Sequence, residues 1–336
     1  MPDYGARVAD GAIDAAARKI RRIYRQAAKD LKAKLDDFNA RHRAKQKEML
    51  DKLNAGEITK AAYDSWMKGQ VFIGKQWRDK LDSVLKVMQN ATKEAVEVVE
   101  NGRLDVFAEN YNYMAYKIEK RVRGAINFNV YNERSVAKLI RENPKMLPKW
   151  KVDEKKDYKW NRQKVENTVT QGIIQGEGIE AITKMLIEVL CTQNENRMRT
   201  FARTSMTGAQ NAGKQAQMED AEDMGIKLKK RWLATLDNRT RDTHQELDGQ
   251  EVPVKDPFKV KVKGKMEEIM NPGDPNALPC LVYNCRCTMI EVYEGINRKS
   301  VRRAYEDPDG SGRRKSYIVE NMTYKEWKAW KENGKS

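Results

Sequence analysis

The chain has 336 residues, enough for about two domains, and is strongly polar, with 34% charged residues against 40% hydrophobic and a mean hydropathy of −0.84. No apolar run approaches the ~20 residues of a membrane-spanning helix, and Arg18, Lys19, Arg21 and Arg22 interrupt anything resembling a signal-peptide core. The reading is therefore no membrane segment and retention in the cytoplasm. The 65 Lys and Arg against 49 Asp and Glu leave a net charge of +16, which favours a polyanionic partner because each neutralised phosphate releases counterions.

The first segment has helical periodicity. Ile13, Ala16, Ile20, Ile23, Tyr24, Ala27, Leu31 and Leu35 recur at spacings of three and four and share one face. The opposite face is basic, with eleven Lys or Arg and three acids over residues 19–47. Asn54 to Gly56 reads as a turn. A second amphipathic stretch covers residues 61–99, with Trp66, Trp77, Leu81, Leu85 and Met88 on its apolar face, and Asn101-Gly102 reads as its stop. A third helix follows over residues 104–122. Residues 1–145 are thus expected to form an N-terminal long-helix bundle or hairpin.

Asn143-Pro144 and Leu147-Pro148 break the pattern, and the charged residues 146–160 read as a linker. Helices are expected over residues 162–175, 178–190 and 194–224, the last closed by Gly225. Short strands follow at 231–236, 251–254, 258–262 and 288–293 between turns such as Asp248-Gly249 and Pro272-Gly273-Asp274-Pro275. The fold class is α+β, with residues 161–295 forming a helical segment and a small irregular β-rich domain. Residues 296–336 form a basic tail of eleven Lys or Arg against six acids. It ends in a short helix with Thr323 near its start.

Two neighbouring stretches carry the chemistry. Residues 232–249 place Asp237, Arg239, Arg241, Asp242, His244 and Asp248 along one strand-to-loop passage, and His244 is one of only two histidines. Some forty residues on come Cys280, Cys285, Arg286 and Cys287. His244, Cys280, Cys285 and Cys287 supply four ligands of the types a structural zinc tetrahedron needs, and metal binding would add folding free energy to a thin-cored domain. Cys285 and Cys287 are only two apart, which strains chelation if both lie on one strand. The alternative is that the cysteines are small buried hydrophobes and His244 hydrogen-bonds within the Asp-Arg cluster. Asp237, Arg239, Arg241, Asp248 and Arg286 read as salt-bridging loop braces. Lys19, Arg21, Arg22, Arg25, Arg313, Arg314 and Lys315 are the candidate DNA contacts, and a solvated surface is the plainer reading for them. Trp327 and Trp330 can stack on bases or pack on a helix. A metal-dependent nuclease or a Cys-based transferase using His244 finds thin support, because no Gly-x-Ser-x-Gly, Walker, GxGxxG or His-Glu-x-x-His pattern is present.

Several pieces occur in a telling order: Phe201-Ala-Arg203-Thr204, Gln210-Asn211-Ala-Gly213, and Gly225 through Trp232. Then come Asp237-x-Arg239-Thr240-Arg241-x-x-His244-x-x-Leu247-Asp248-Gly249, Pro272-Gly-Asp274-Pro275 and Asn284-Cys285-Arg286-Cys287. Over about residues 159–293 this arrangement resembles the phage Mu protein F-like family, the minor head or head morphogenesis proteins of tailed bacteriophages. The N-terminal helices and the Tyr-Lys-Glu-Trp tail resemble, more loosely, the flanks of such proteins from phages of Gram-positive bacteria. The resemblance implies a non-enzymatic virion component present in few copies inside the capsid near the portal vertex. It implies contact with portal protein, with major capsid or scaffolding protein, and with double-stranded DNA without sequence preference, serving head assembly or DNA delivery after synthesis in the host cytoplasm. A pure protein-interaction scaffold without DNA binding is the alternative. Some members carry Cys-x-x-Cys where this chain has Arg241-x-x-His244, which leaves His244 alone to replace the pair, with Cys280 as the implied fourth partner. Some relatives carry a toxin or ADP-ribosyltransferase domain after this region. The roughly 40 residues that follow it here are too few for an independent enzyme domain, so none is expected.

Overall fold

The computed structural model describes residues 4–69, 75–122, 133–142, 153–293, 301–305 and 316–320, with the single positions 144, 146, 147, 322, 323, 326 and 329. The chain is α+β. In order it forms α1 (Tyr4–Asn54), α2 (Lys60–Lys68), α3 (Lys75–Val122), α4 (Glu133–Glu142), α5 (Glu154–Ile174) and α6 (Ile179–Asp223). Then come β1 (Leu228–Leu233), α7 (Asp242–Leu247), β2 (Glu251–Pro253), β3 (Phe258–Val262), β4 (Lys265–Ile269), α8 (Pro279–Val282), β5 (Thr288–Tyr293), β6 (Val301–Tyr305) and β7 (Ser316–Glu320). Among the described residues no helix is long and apolar enough to cross a membrane. Arg313, Arg314, Lys315, Trp327 and Trp330 lie outside the described residues, as does the side chain of Trp77.

The contacts divide the chain into two compact units that do not follow chain order, because α1, α3 and α6 each run from one into the other. One unit comprises Ala17–Val98 and Lys151–Arg199, and the other Met1–Ala16, Val99–Trp150 and Thr200–Ser336.

The first unit is all helix. The α1 stripe from Ile20 to Leu35 is buried, as are Leu81, Leu85 and Met88 of α3, whereas Trp66 is only half-buried and Tyr63 and Met67 of α2 go inside instead. Tyr24 meets Thr92 across the core at 3.2 Å, and burial pushes its hydroxyl pKa up to about 12. The expected linker does not extend to residue 160. Asp153 caps α5 by accepting from the Lys155 and Lys156 amides, so the charged stretch from Glu154 is helical. Charge density marked it as a linker, but a good cap and exposed side chains let a charged sequence stay helical.

Three glycines close helices in one manner. Gly56, Gly176 and Gly225 all have positive φ. In each case the glycine amide and the next amide reach back to carbonyls near the helix end, as with Gly225 to Glu222 (2.8 Å) and Ile226 to Ala221 (3.0 Å). Asn101-Gly102 does not stop α3. Gly102 is instead a contact point, where an added Cβ would lie 2.5 Å from Met206 Cε on α6. Likewise α6 runs unbroken through the break expected near residue 192.

Gly213 brings α6 against α3 in the second unit. A Cβ there would sit 2.4 Å from the Phe107 carbonyl oxygen and 3.1 Å from the Tyr111 amide nitrogen, both backbone atoms that cannot step aside. Gly213→Ala should destabilise the protein by about 2 kcal/mol or more through forced separation of the helices. Gly11→Ala, with nothing within 4 Å, should instead be stabilising by up to about 1 kcal/mol. Urea unfolding of the two variants checks the contrast.

Strands β1, β3, β4 and β5 share a hydrophobic core with α3 and α6 in this unit. An antiparallel sheet runs in the order β2-β1-β5, and β3-β4 and β6-β7 form separate hairpins. β1 begins three residues earlier than its expected position, so that Leu228, Lys230 and Trp232 point inward. β4 escapes the periodicity because only Ile269 of its five residues is buried. A Lys263-Gly264 turn, both at positive φ, joins it to β3. Trp232 anchors the core, edge-on to Phe258 (5.3 Å) and to His244 (5.7 Å).

Lys230 is buried on the core side of β1, held by Gln215 Oε1 at 3.1 Å and the Met270 carbonyl at 2.8 Å, with no carboxylate bonded to it among the described residues. Burial pulls its pKa down to about 8. Between pH 8 and the unfolded value near 10.5 the unfolded chain binds the extra proton, so this residue makes stability rise with pH through that window, by about 3 kcal/mol in total. Lys230→Met should remove that rise. Denaturation midpoints of both proteins from pH 7 to 10.5 check it, because other groups titrate alike in the two.

A candidate metal centre beside an arginine-lined cleft

The site is assembled by α7, the turn between α8 and β5, and the first residues of β5. Asp237 fixes the entry to α7. Its carboxylate takes both terminal nitrogens of Arg286 (Nη2 to Oδ1, 2.9 Å, and Nη1 to Oδ2), and Oδ1 also accepts the Arg239 amide at 3.0 Å. Asp237 is buried and Arg286 half-buried, so this bidentate pair is stronger than a surface bridge. Thr235 Oγ1 donates to the Arg286 carbonyl at 2.8 Å. Asp248 Oδ1 accepts the Ala234 amide at 2.7 Å, and Gly249 turns at φ 81. Asp237 and Arg286 therefore join the loop to the segment that leads into β5, and Asp248 joins the end of α7 to the residue after β1.

His244 lies on the inner face of α7 and is 3% exposed. Its Nε2 is 2.9 Å from the Leu281 carbonyl oxygen. A carbonyl only accepts, so Nε2 carries the proton and Nδ1 offers its lone pair. Arg241 Nη1 also stands 3.4 Å from Nε2. Two donors cannot bond each other, so the nearer carbonyl decides the tautomer. Nδ1 faces Cys287 Sγ at 3.2 Å and Cys285 Sγ at 3.8 Å.

The three donor atoms lie within 4.8 Å of one another and all three residues are buried. The cluster can hold a metal ion. For Zn–S near 2.3 Å and Zn–N near 2.0 Å, a tetrahedron has S···N edges of about 3.5 Å, which the two observed separations bracket. The second ring nitrogen bound to a backbone carbonyl is the outer support that metal-ligating histidines use. Thiolate and imidazole donors suit zinc rather than magnesium. Cys285 sits in the turn before β5, made by Asn284 at φ 56 with its amide on Thr204 Oγ1 (3.0 Å), so the two cysteines are not both on one flat strand. The hydrogen bond from the Cys287 thiol holds the Cys285 thiol below its usual pKa, helped by Arg241 and Arg286, whereas burial pushes the Cys287 thiol well above.

Cys280 is not brought into the cluster. It is exposed on α8, where Leu281 and Val282 turn inward. Position on a four-residue helix, rather than distance along the chain, decides this.

Beside the cluster opens a cleft of about 370 Å³ whose lining includes Thr200, Arg203, Arg239, Arg241, Arg286 and both buried cysteines. The alternation of Asp and Arg marks Arg239 and Arg241 as salt-bridging braces, and nothing in the sequence marks a role for Arg203. Nor does the sequence mark a role for Asn211, which binds α6 to β5. The charge run on α1 is on the surface: Lys19, Arg21, Arg22 and Arg25 are all exposed, with Arg21 paired to Glu195 at 3.3 Å.

The pattern of the family described as Phage Mu protein F like protein matches residues 163–290. The chain is 31% identical over 234 residues to the minor head protein GP7 of Bacillus phage SPP1, covering 67% of this chain and 69% of that one. It is 27% identical over 252 residues to the NAD(+)–arginine ADP-ribosyltransferase EFV of Enterococcus faecalis, 74% of this chain but only 48% of that one, so the chain spans about half the length of this relative. An uncharacterized protein of Haemophilus influenzae shares 31% identity over 131 residues, 39% of this chain and 25% of its own. No solved structure matches.

Proposed function

Because this chain belongs to the phage Mu protein F-like family of phage minor head proteins, we propose that it is a non-enzymatic component of a tailed-phage head, carried inside the capsid near the portal and in contact with packaged DNA. The observation that carries this reading is the use of the shared motif residues as joints. Asp237, Asp248 and Arg286 bond loop to strand, and His244 is buried against Trp232, Leu281 and Cys287. The unit built on them serves as the anchor to portal, major capsid or scaffolding protein. The exposed cations of α1, Lys19, Arg21, Arg22 and Arg25, contact double-stranded DNA through phosphates, without base readout. The basic tail with Arg313, Arg314 and Lys315 is proposed to supply further phosphate contacts.

We further propose that His244, Cys285 and Cys287 hold a structural zinc ion. Its chemistry there is to bind the two thiolates and the imidazole at once, tying α7 to β5. Cys280 is not among the ligands of this proposal.

Purified protein should bind linear duplex DNA with an affinity that falls steeply as salt rises. Lys19→Gln/Arg22→Gln/Arg25→Gln together should lower the slope of log K against log salt by about 3. Filter or fluorescence titrations over a salt series read this. Absence of binding at low salt overturns the DNA reading, and absence of the protein from purified virions overturns the virion reading. DNA cleavage by the wild type that His244→Ala abolishes would replace both with a nuclease.

A further inference from the structure

We infer that the cavity between α6 and the turn of residues 271–276 is a binding site for a primary ammonium group carried on an apolar stem. The cavity is about 290 Å³, and Gly208, Ala212 and Ala216 of α6 line it at intervals of four residues, so one helix face forms its floor. The turn closes on that floor by backbone contact, since a Cβ on Gly208 would lie 2.6 Å from the Gly273 carbonyl oxygen. Asn271 lines the cavity, is 8% exposed, and has no hydrogen-bond partner for its Oδ1. A buried carbonyl without a donor is costly, so this position calls for an N–H or O–H from a ligand.

Two carboxylates share the lining. Asp274, also 8% exposed, accepts the Met270 amide at 3.2 Å and the Asn276 amide at 2.9 Å, and Glu219 accepts Gln215 Nε2 at 2.6 Å. Neither is in an ion pair among the described residues, and each retains acceptor capacity beyond these bonds. The neighbouring cations have other partners. Arg103 Nη1 lies 2.8 Å from both oxygens of Glu100. Lys230 Nζ is spent on Gln215 and the Met270 carbonyl, and Glu219, Asp256, Asp274 and Glu222 all act on its charge. Lys255 pairs with Asp223 and Glu222. Among the described residues, acids therefore outnumber cations around the cavity. A primary ammonium brings three donors and no acceptor, one each for Asn271, Asp274 and Glu219. Met146, Leu147, Met270 and Pro275 give its methylene stem an apolar wall. A lysine side chain of a partner protein and a free polyamine both have this chemistry.

The cavity shares no residue with the basic face of α1 or with the His–Cys–Cys cluster, so the site stands or falls apart from both. The test uses the full chain and n-butylammonium chloride, by calorimetric titration and thermal melting, against sodium chloride and tetramethylammonium chloride of equal ionic strength. Butylammonium should bind saturably at one per chain and raise the melting temperature. Tetramethylammonium, with the same charge and no N–H, should do neither. Glu219→Gln should weaken butylammonium binding about tenfold, the loss of one charge-assisted contact, and its Oε1 still accepts from Gln215, so folding stays intact. Asn271→Asp should tighten binding about fivefold, because a carboxylate is the stronger acceptor. Glu246→Gln, exposed and outside the cavity, should leave affinity unchanged. Spermidine binding more tightly than a blocked Ala-Lys-Ala peptide identifies a free polyamine as the source, and the reverse order identifies a partner's lysine. No saturable binding, equal binding of tetramethylammonium, or equal affinity in wild type and Glu219→Gln overturns the inference. Displacement of butylammonium by one calcium ion per chain also overturns it, in favour of a metal-ion site.

Discussion

Asn211→Ala is expected to remove roughly 4 kcal/mol of stability, a loss at the high end for a single substitution. Asn211 is fully buried in α6 and its amide group is saturated. Nδ2 donates to the Thr207 carbonyl (2.9 Å), the Pro272 carbonyl (3.1 Å) and the Cys287 carbonyl (3.3 Å). Oδ1 accepts the Met289 amide at 3.2 Å and the Thr288 hydroxyl at 3.3 Å. Alanine would leave backbone groups of β5 and of the Pro272 turn without partners in a dry interior, each worth about 1–3 kcal/mol. Asn211→Asp should be at least as harmful, because it turns two donors into acceptors facing three carbonyls. Gln210→Ala, next door, removes one contact to Thr288 at 3.2 Å and should cost about 1 kcal/mol. Urea unfolding followed by Trp fluorescence decides. A loss below that of the Gln210 variant would show that Asn211 does not organise this junction.

Asn211 also shows where sequence reasoning stopped. It stood inside a recognised motif, Gln210-Asn211-Ala-Gly213, but nothing local in the chain tells that its partners lie sixty to eighty residues away. What was legible is what local physics dictates. The α1 stripe from Ala16 to Leu35 is buried as its spacing requires, and Gly225 closes α6 because left-handed φ suits glycine. What was illegible depends on packing. Gly102 looked like a stop and is a helix contact with Met206. The charged residues from Glu154 looked like a linker and are helical because Asp153 caps them. β4 has one buried residue and α4 lies just ahead of a proline-rich break, so neither announced itself. For the cluster the ligand types were readable from His244, Cys285 and Cys287. Their company was not, since the inward turn of Leu281 and Val282 on α8 is what leaves Cys280 outside.

Protein purified without chelator should contain close to one zinc per chain, and removing it should lower stability by about 4 kcal/mol at a free zinc concentration a thousandfold above the dissociation constant. The direction follows from the packing: an ion held by these three residues would tie α7 to the turn before β5, so its loss would release the Cys285 turn from the helix carrying His244. His244→Ala should lose the zinc and the chelator effect together. Cys280→Ser should keep both, because Cys280 is exposed and apart from the three donors. The two variants separate a three-residue centre from the four-ligand set that cysteine count alone suggests. Zinc lost in Cys280→Ser would restore the four-ligand set and require α8 to turn. Zinc well below one per chain in folded wild-type protein would leave His244 as a hydrogen-bonded core residue, its Nε2 donating to the Leu281 carbonyl at 2.9 Å. Elemental analysis and thermal melting of the wild type and the two variants distinguish these outcomes.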